Sequence, residues 1–248
     1  MKIGVPRETA AGERRIALVP ESAKKLVEQG NEVVIEKARS ASVDFPDAAY
    51  AAAGARIAAD AGEVLAGSDL VLKIQPPSEA EIASLRTGAV LVAILQPFQN
   101  GDTVRRLAEK SVTSFSLDLL PRITRAQAMD VLSSMSTIAG YKGVLIAAAA
   151  LPKMVPLLMT AAGTLKPARF LILGVGVAGL QAIATARRLG AVVEAFDIRP
   201  AVKEQVESLG ARFVAHEAIQ SGGETKGGYA TELTPEQQAQ QQAALEER

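Results

Sequence analysis

Apolar residues fall along this chain in short runs, and amphipathic helical stretches separate the runs. Lys2–Pro6 reads as a short strand. A helix opens at Pro20-Glu21-Ser22 and continues through Gln29, and Asn31–Glu36 is the next strand. Ala48–Ala53 reads as helix, and Asp69–Ile74 as an apolar strand ending at Gln75-Pro76-Pro77. Ser78 starts a short helix, and Glu81, three residues on, completes a capping box. Val90–Leu95 is a strand ending at Gln96-Pro97, Thr103–Lys110 is helical, and Ser111–Leu119 has strand character. A long helical pattern then runs from about Ala126 to Leu151. After residue 197 come a helix (Ala201–Leu209), a strand (Arg212–Ala215), a Gly-rich loop and a Gln/Glu-rich helix from Thr234 to Arg248. Such β/α alternation implies a mostly parallel sheet covered by helices.

Residues 170–199 carry the strongest chemical signal. Phe-Leu-Ile-Leu is followed by Gly174, Gly176 and Gly179 in GxGxxG spacing, then a helix, a second apolar run and Asp197, 18 residues after Gly179. Strand, glycine turn, helix, strand and acid together form the dinucleotide-binding fingerprint in its required context. Gly174 permits the tight turn, Gly176 lets a pyrophosphate approach the backbone, and Gly179 lets helix and strand pack closely. The helix N-terminus, with Val175 and Val177 beside the glycines, presents N–H groups to phosphate. Asp197 is placed to accept from the adenosine ribose hydroxyls and to repel a 2′-phosphate, which favours NAD(H). Arg199 pulls the other way, because a nearby arginine can accommodate that phosphate. The expected fold class is α/β: two Rossmann-like domains with mostly parallel sheets, linked by a long helix, over 1–135 and 136–248. Only the first βαβαβ half of the second domain is evident, and the sequence reads as a fragment of a longer protein.

Composition narrows the classes. Hydrophobic residues make up 48% of the 248 residues and formal net charge is zero, so a sizeable core is possible and no polyanion-binding surface is indicated. Nucleic acid is not an expected partner. The absence of Cys excludes disulfides and thiolate metal sites, and no metal site is expected. The N-terminus lacks the apolar region of a signal peptide. Gly143–Leu151, the most apolar stretch, falls short of the roughly 20 residues of a span, so a soluble protein is expected. His216 is the sole histidine and reads as a surface or edge residue.

A second constellation lies in Pro121-Arg122-Ile123-Thr124-Arg125-Ala126-Gln127-Ala128-Met129-Asp130-Val131-Leu132-Ser133-Ser134. At helical spacing Gln127, Asp130 and Ser134 share a face, with Ser133 beside them and Arg122 just before. The surrounding helix is apolar enough to read as a buried linker, where a polar stripe must find partners.

With these residues in view, the chain resembles the NAD(H)-binding domain I family of proton-translocating nicotinamide nucleotide transhydrogenases, over essentially its whole length. The matching segments include Gly4-Val5-Pro6-Arg7-Glu8, Gly12 to Pro20, Pro121 to Ser134, Thr160 to Thr164, the fingerprint with Asp197-Ile198-Arg199, and Gly227-Gly228-Tyr229-Ala230. Alanine dehydrogenases are similar in fold and N-terminus. They use a Lys and a His to bind and protonate the oxo-acid, and Gln75 and Gln96 stand at the corresponding positions here. Neither can act as acid or base near neutral pH. Arg15 matches a substrate-side arginine of those dehydrogenases and reads as structural without that Lys and His.

The resemblance implies a Re/Si-specific hydride transfer between NADH and NADP⁺ held on a partner domain. It also implies proton translocation in a membrane-spanning subunit, a homodimer, and a cytoplasmic location peripheral to the inner membrane. NAD(H) is the implied cofactor, with NADP(H) as second substrate on the partner. Carried over by position, Arg122 and Ser133 would hold the carboxamide and ribose, Gln127 would bridge towards the partner's nucleotide, and Asp130 would orient its neighbours. Ile123 and Thr124 would touch NAD, Ile198 and Arg199 would line the adenosine pocket, and Gly228 and Tyr229 would contact NAD from a mobile loop. Hydride exchange between two nicotinamides needs no general acid, only two rings held at near-attack distance. The remaining alternatives are a non-catalytic NAD(H)-binding module and, with the Gln75/Gln96 replacements against it, an oxo-acid dehydrogenase.

Overall fold

A computed structural model describes residues 1–37, 45–121, 123–214, 234–236, 239 and 242. They form two compact units, Met1–Asp130 and Val131–Arg248.

Unit 1 runs β1 (Lys2–Val5), α1 (Pro20–Glu28), β2 (Glu32–Glu36), α2 (Asp47–Ala52), β3 (Arg56–Ala58), α3 (Ala61–Gly67), β4 (Leu70–Leu72), α4 (Glu79–Ser84), β5 (Val90–Ala93), α5 (Gly101–Glu109), β6 (Thr113–Ser116). The six strands pair in the order β3-β2-β1-β4-β5-β6. Every pairing is parallel, with Ile3 opposite both Val33 and Leu70. Val33, Val34 and Ile35 are consecutive and all buried, because a parallel sheet is covered on both faces. Pro20 sits at the first position of α1, where a missing N–H costs nothing, with Glu21 in the first turn. The expected capping box of α4 is formed: Ser78 N–H donates to Glu81 Oε2 at 2.7 Å and Glu81 N–H to Ser78 Oγ at 3.3 Å. Strand β3 and helix α3 were not read from the sequence. The strand expected through Leu119 ends at Ser116 and gives way to a 3₁₀ turn, Leu117–Leu119.

Unit 2 contains α6 (Val131–Ala150), a hairpin of β7 (Leu158–Thr160) and β8 (Gly163–Leu165), then β9 (Arg169–Leu173), α7 (Val177–Arg188), β10 (Val192–Phe196), α8 (Lys203–Ser208) and β11 (Arg212–Phe213). The last three strands pair in parallel in the order β11-β10-β9. Phe170, Val175, Ile183, Val193, Ala195 and Val206 anchor its core.

The single helix expected from Ala126 is two elements. Thr124–Met129 is a 3₁₀ turn, Asp130 leaves helical geometry at φ −74° and ψ 86°, and α6 starts at Val131. Aspartate is favoured at such a boundary, where its side chain competes with the helix for local hydrogen bonds. Gln127 and Asp130 therefore do not share a helical face with Ser134, which corrects the expected stripe. Nor is α6 a buried linker: Gly140 and Val144 are its buried residues. Among the described residues α6 is the helix long and apolar enough, by length and composition, to cross a membrane. Gly143–Leu151 alone falls short because it omits the apolar turns before Lys142. The same test is passed by core helices, and α6 packs on α7, where Gly140 lies so close to Ala178 that a Cβ would collide with its carbonyl oxygen.

Candidate functional site

The glycine turn sits at the C-terminal end of β9. Gly174 has φ +90°, a conformation L side chains rarely adopt, and its N–H donates to Phe196 O at 2.8 Å, tying the turn to β10. A Cβ at Gly174 or Gly176 would meet nothing within 4 Å, so the backbone there faces open space. Gly179 is the opposite case: a Cβ would collide with the carbonyl of Gly174, so glycine lets α7 lie this close to the turn. Gly176 caps α7 without a side-chain hydrogen bond, and Val177 opens the helix. Beside the turn runs a groove of about 620 Å³, floored by Ile172 and Leu173 of β9 and walled by Gly140 and Gly143 of α6 and Val177 and Ala178 of α7.

Asp197 follows directly on β10 and faces the turn. Its Oδ2 accepts the Val175 N–H at 2.7 Å and Arg199 Nη2 at 3.0 Å; its Oδ1 accepts the Arg199 N–H at 2.8 Å and Nε at 2.9 Å. Burial alone would raise this carboxyl's pKa. The Arg199 guanidinium and the two backbone N–H groups outweigh burial and hold it below the ordinary aspartate range. Ile198 packs against the buried pair Phe196 and Val214. Sequence reasoning placed Asp197 at the turn but not its engagement by Arg199.

Of the second constellation, Arg122 lies outside the described residues. Ile123 is extended and exposed, Thr124 and Gln127 lie on the exposed side of the 3₁₀ turn, and Ala126 is its buried residue. Asp130 and Ser133 are partly buried, and each has an interaction partner. Gly227, Gly228, Tyr229 and His216 also lie outside the described residues, as does most of the expected C-terminal helix.

In unit 1 the groups facing Gln75 are accounted for internally. Arg15 forks onto Glu13 through Nε at 2.8 Å and Nη2 at 2.6 Å, and Gln75 Nε2 donates to the same carboxylate at 2.7 Å. The Arg15 hydrogen bonds pull the Glu13 carboxyl down to about 2. A buried ionic cluster that sequence reasoning missed stitches β1 to β4. Lys73, 4% exposed, pairs with Glu81 at 2.7 Å and Glu8 at 3.4 Å. Glu8 also accepts the Ile74 and Gln75 N–H groups at 2.5 and 3.2 Å. The signal available in sequence was a lysine inside an otherwise apolar strand region. In doubly wound sheets, ligands enter where neighbouring strands are followed by helices on opposite faces. Here β1 and β4 form that place, and Glu8 fills it.

Residues 4–139 match the N-terminal domain, and residues 143–247 the C-terminal domain, of the alanine dehydrogenase/PNT family. The chain belongs to this family. An NAD(P) transhydrogenase subunit alpha protein of Rhodospirillum rubrum is 48% identical over 255 residues, covering 100% of this chain and 66% of that protein. A transhydrogenase structure from Sinorhizobium meliloti superposes with a TM-score of 0.87 at 43% identity, over 100% of this chain and 66% of that one. An L-alanine dehydrogenase structure gives 0.76 at 28% identity, over 89% of this chain and 62% of that one. The chain spans about two thirds of the length of the transhydrogenase relatives it matches. The mostly parallel α/β fold with a long helix is the fold of these relatives.

Proposed function

We propose that this chain is the NAD(H)-binding portion of a transhydrogenase alpha subunit. The observation that carries this reading is the glycine turn locked to Asp197 through the Val175 N–H. The open backbone at Gly174 and Gly176 fits a pyrophosphate, and an acid beside the turn fits an adenosine ribose. Bound NADH would supply the hydride, passed to NADP⁺ on a partner domain. Residues of this chain bind and orient. Gly174, Val175, Gly176, Val177 and Gly179 cradle the pyrophosphate, and Asp197, Ile198 and Arg199 take the adenosine. By resemblance, Arg122, Ile123, Thr124, Gln127, Asp130 and Ser133 take the nicotinamide side, and Gly228 and Tyr229 close over the nucleotide. No proton need be moved by this chain, and Gln75, bound to Glu13, supplies no acid. A homodimer, an NADP(H)-binding partner domain and a membrane-spanning proton channel complete the proposed assembly, at the cytoplasmic face of the inner membrane.

The test is transfer from NADH to acetylpyridine-NADP⁺ by the purified chain, with and without an added NADP(H)-binding transhydrogenase domain. The expected result is NADH binding by the chain alone and hydride transfer only in the mixture. Alanine-linked NAD⁺ reduction by the chain alone would overturn the reading. Binding without transfer in the mixture would favour a binding module.

A further inference from the structure

The inference rests on the nucleotide-binding reading above and concerns how the ribose acid is reached. Asp197 is 7% exposed at its side chain and Arg199 15%. A carboxylate offers about four acceptor positions, and four N–H donors among the described residues already approach the two oxygens of Asp197. Two of them, the Val175 and Arg199 backbone amides, are fixed by the turn. The other two, Nε and Nη2 of Arg199, belong to a side chain that can rotate.

We propose that Arg199 is a displaceable specificity residue: its guanidinium occupies the ribose position on Asp197, yields it to the ribose hydroxyls of NAD(H), and, once displaced, pairs with the 2′-phosphate of NADP(H). The exchange is like for like. Parallel N–H donors leave, and the neighbouring 2′- and 3′-hydroxyls arrive as donors, so Asp197 keeps its full set of hydrogen bonds. Arg199 stays near the exchange because Nη2 also donates to Val175 O at 3.3 Å. The two charged residues then oppose each other: Asp197 repels a 2′-phosphate and Arg199 attracts it. Arg199 thus weakens NADH binding by competing for Asp197, and narrows the discrimination against NADPH.

The experiment is fluorescence titration of the native chain, Arg199→Ala and Arg199→Lys with NADH, NADPH and reduced nicotinamide mononucleotide, which lacks the adenosine ribose. Arg199→Ala should bind NADH about five- to tenfold more tightly, as expected for removing one charge-assisted competitor. It should bind NADPH more weakly, so that the NADH preference widens tenfold or more, with mononucleotide binding unchanged. Arg199→Lys keeps a charge for the phosphate but not the fork, so it should tighten NADH while retaining NADPH. It also serves as the test if Arg199→Ala does not fold. Unchanged or weaker NADH binding in a folded variant, with an unaltered preference, overturns the proposal. Absence of NADH binding by the native chain overturns it too, but through failure of the nucleotide-binding reading.

Discussion

Gly174, Gly176 and Gly179 are required for different physical reasons, and the difference is measurable. Gly179 faces backbone that cannot rotate away, so Gly179→Ala must push α7 off the turn. It should cost about 1–3 kcal/mol, the range for overpacking, and lower NADH affinity as well. Gly176→Ala enters open space and should leave the urea midpoint nearly unchanged while weakening NADH through its bulk at the pyrophosphate. Normal NADH binding by Gly176→Ala would show that the pyrophosphate does not pass there. Glu13 makes a pH prediction. Its carboxyl is lowered from 4.5 to about 2 in the folded chain, so it contributes stability that is fully present above pH 4.5 and lost as pH falls towards 2. Urea midpoints at pH 5 and pH 3 should therefore converge in Glu13→Gln relative to the native chain; equal slopes in both would mean that the Arg15–Glu13 fork contributes nothing. The residue types at the turn were legible in sequence because the fingerprint fixes their spacing. That Arg199 folds back onto Asp197 was not, because spacing does not set a long side chain's rotamer.

Elements were legible where their end signals are strong. Ser78 and Glu81 announce α4, and Ser78→Ala should remove about 1 kcal/mol of stability by orphaning the N3 amide, read as a shift in urea midpoint. Glu81→Gln would be a confounded alternative, because Glu81 also holds buried Lys73. A Ser78→Ala variant as stable as the native chain would mean that water caps α4 equally well. Helix α3 escaped notice although its cap is formed, with Asp60 accepting the Glu63 N–H at 2.9 Å: two of its seven residues, Gly62 and Gly67, are poor helix formers. Strand β3 has three residues, too few to show an alternation. The break at Asp130 was hidden because a 3₁₀ turn and an α-helix present similar spacing over a single turn.

At the scale of the whole molecule, each unit has its own core. Ile3, Val33, Val71, Leu91 and Leu107 are buried in unit 1, and Phe170, Ile183, Val193 and Val206 in unit 2. The β/α alternation made both legible, whereas the ionic cluster under β1 and β4 depends on contacts between residues 8, 73 and 81 that periodicity does not reveal. A perturbation confined to one core should therefore act on one unfolding step. ADP-ribose carries the ribose and pyrophosphate that the turn and Asp197 would bind, so it should raise the transition of unit 2, by about 2.7 kcal/mol at one hundred times its dissociation constant. Glu8→Gln weakens the charge balance around Lys73, and breaking a buried pair costs about 3–5 kcal/mol. It should lower the transition of unit 1 and leave the ADP-ribose response intact. Calorimetry of the native chain and Glu8→Gln, each with and without ADP-ribose, separates the two effects. If ADP-ribose and Glu8→Gln move the same single transition, the units fold as one cooperative body, and the nucleotide's stabilisation reaches Glu8 through it.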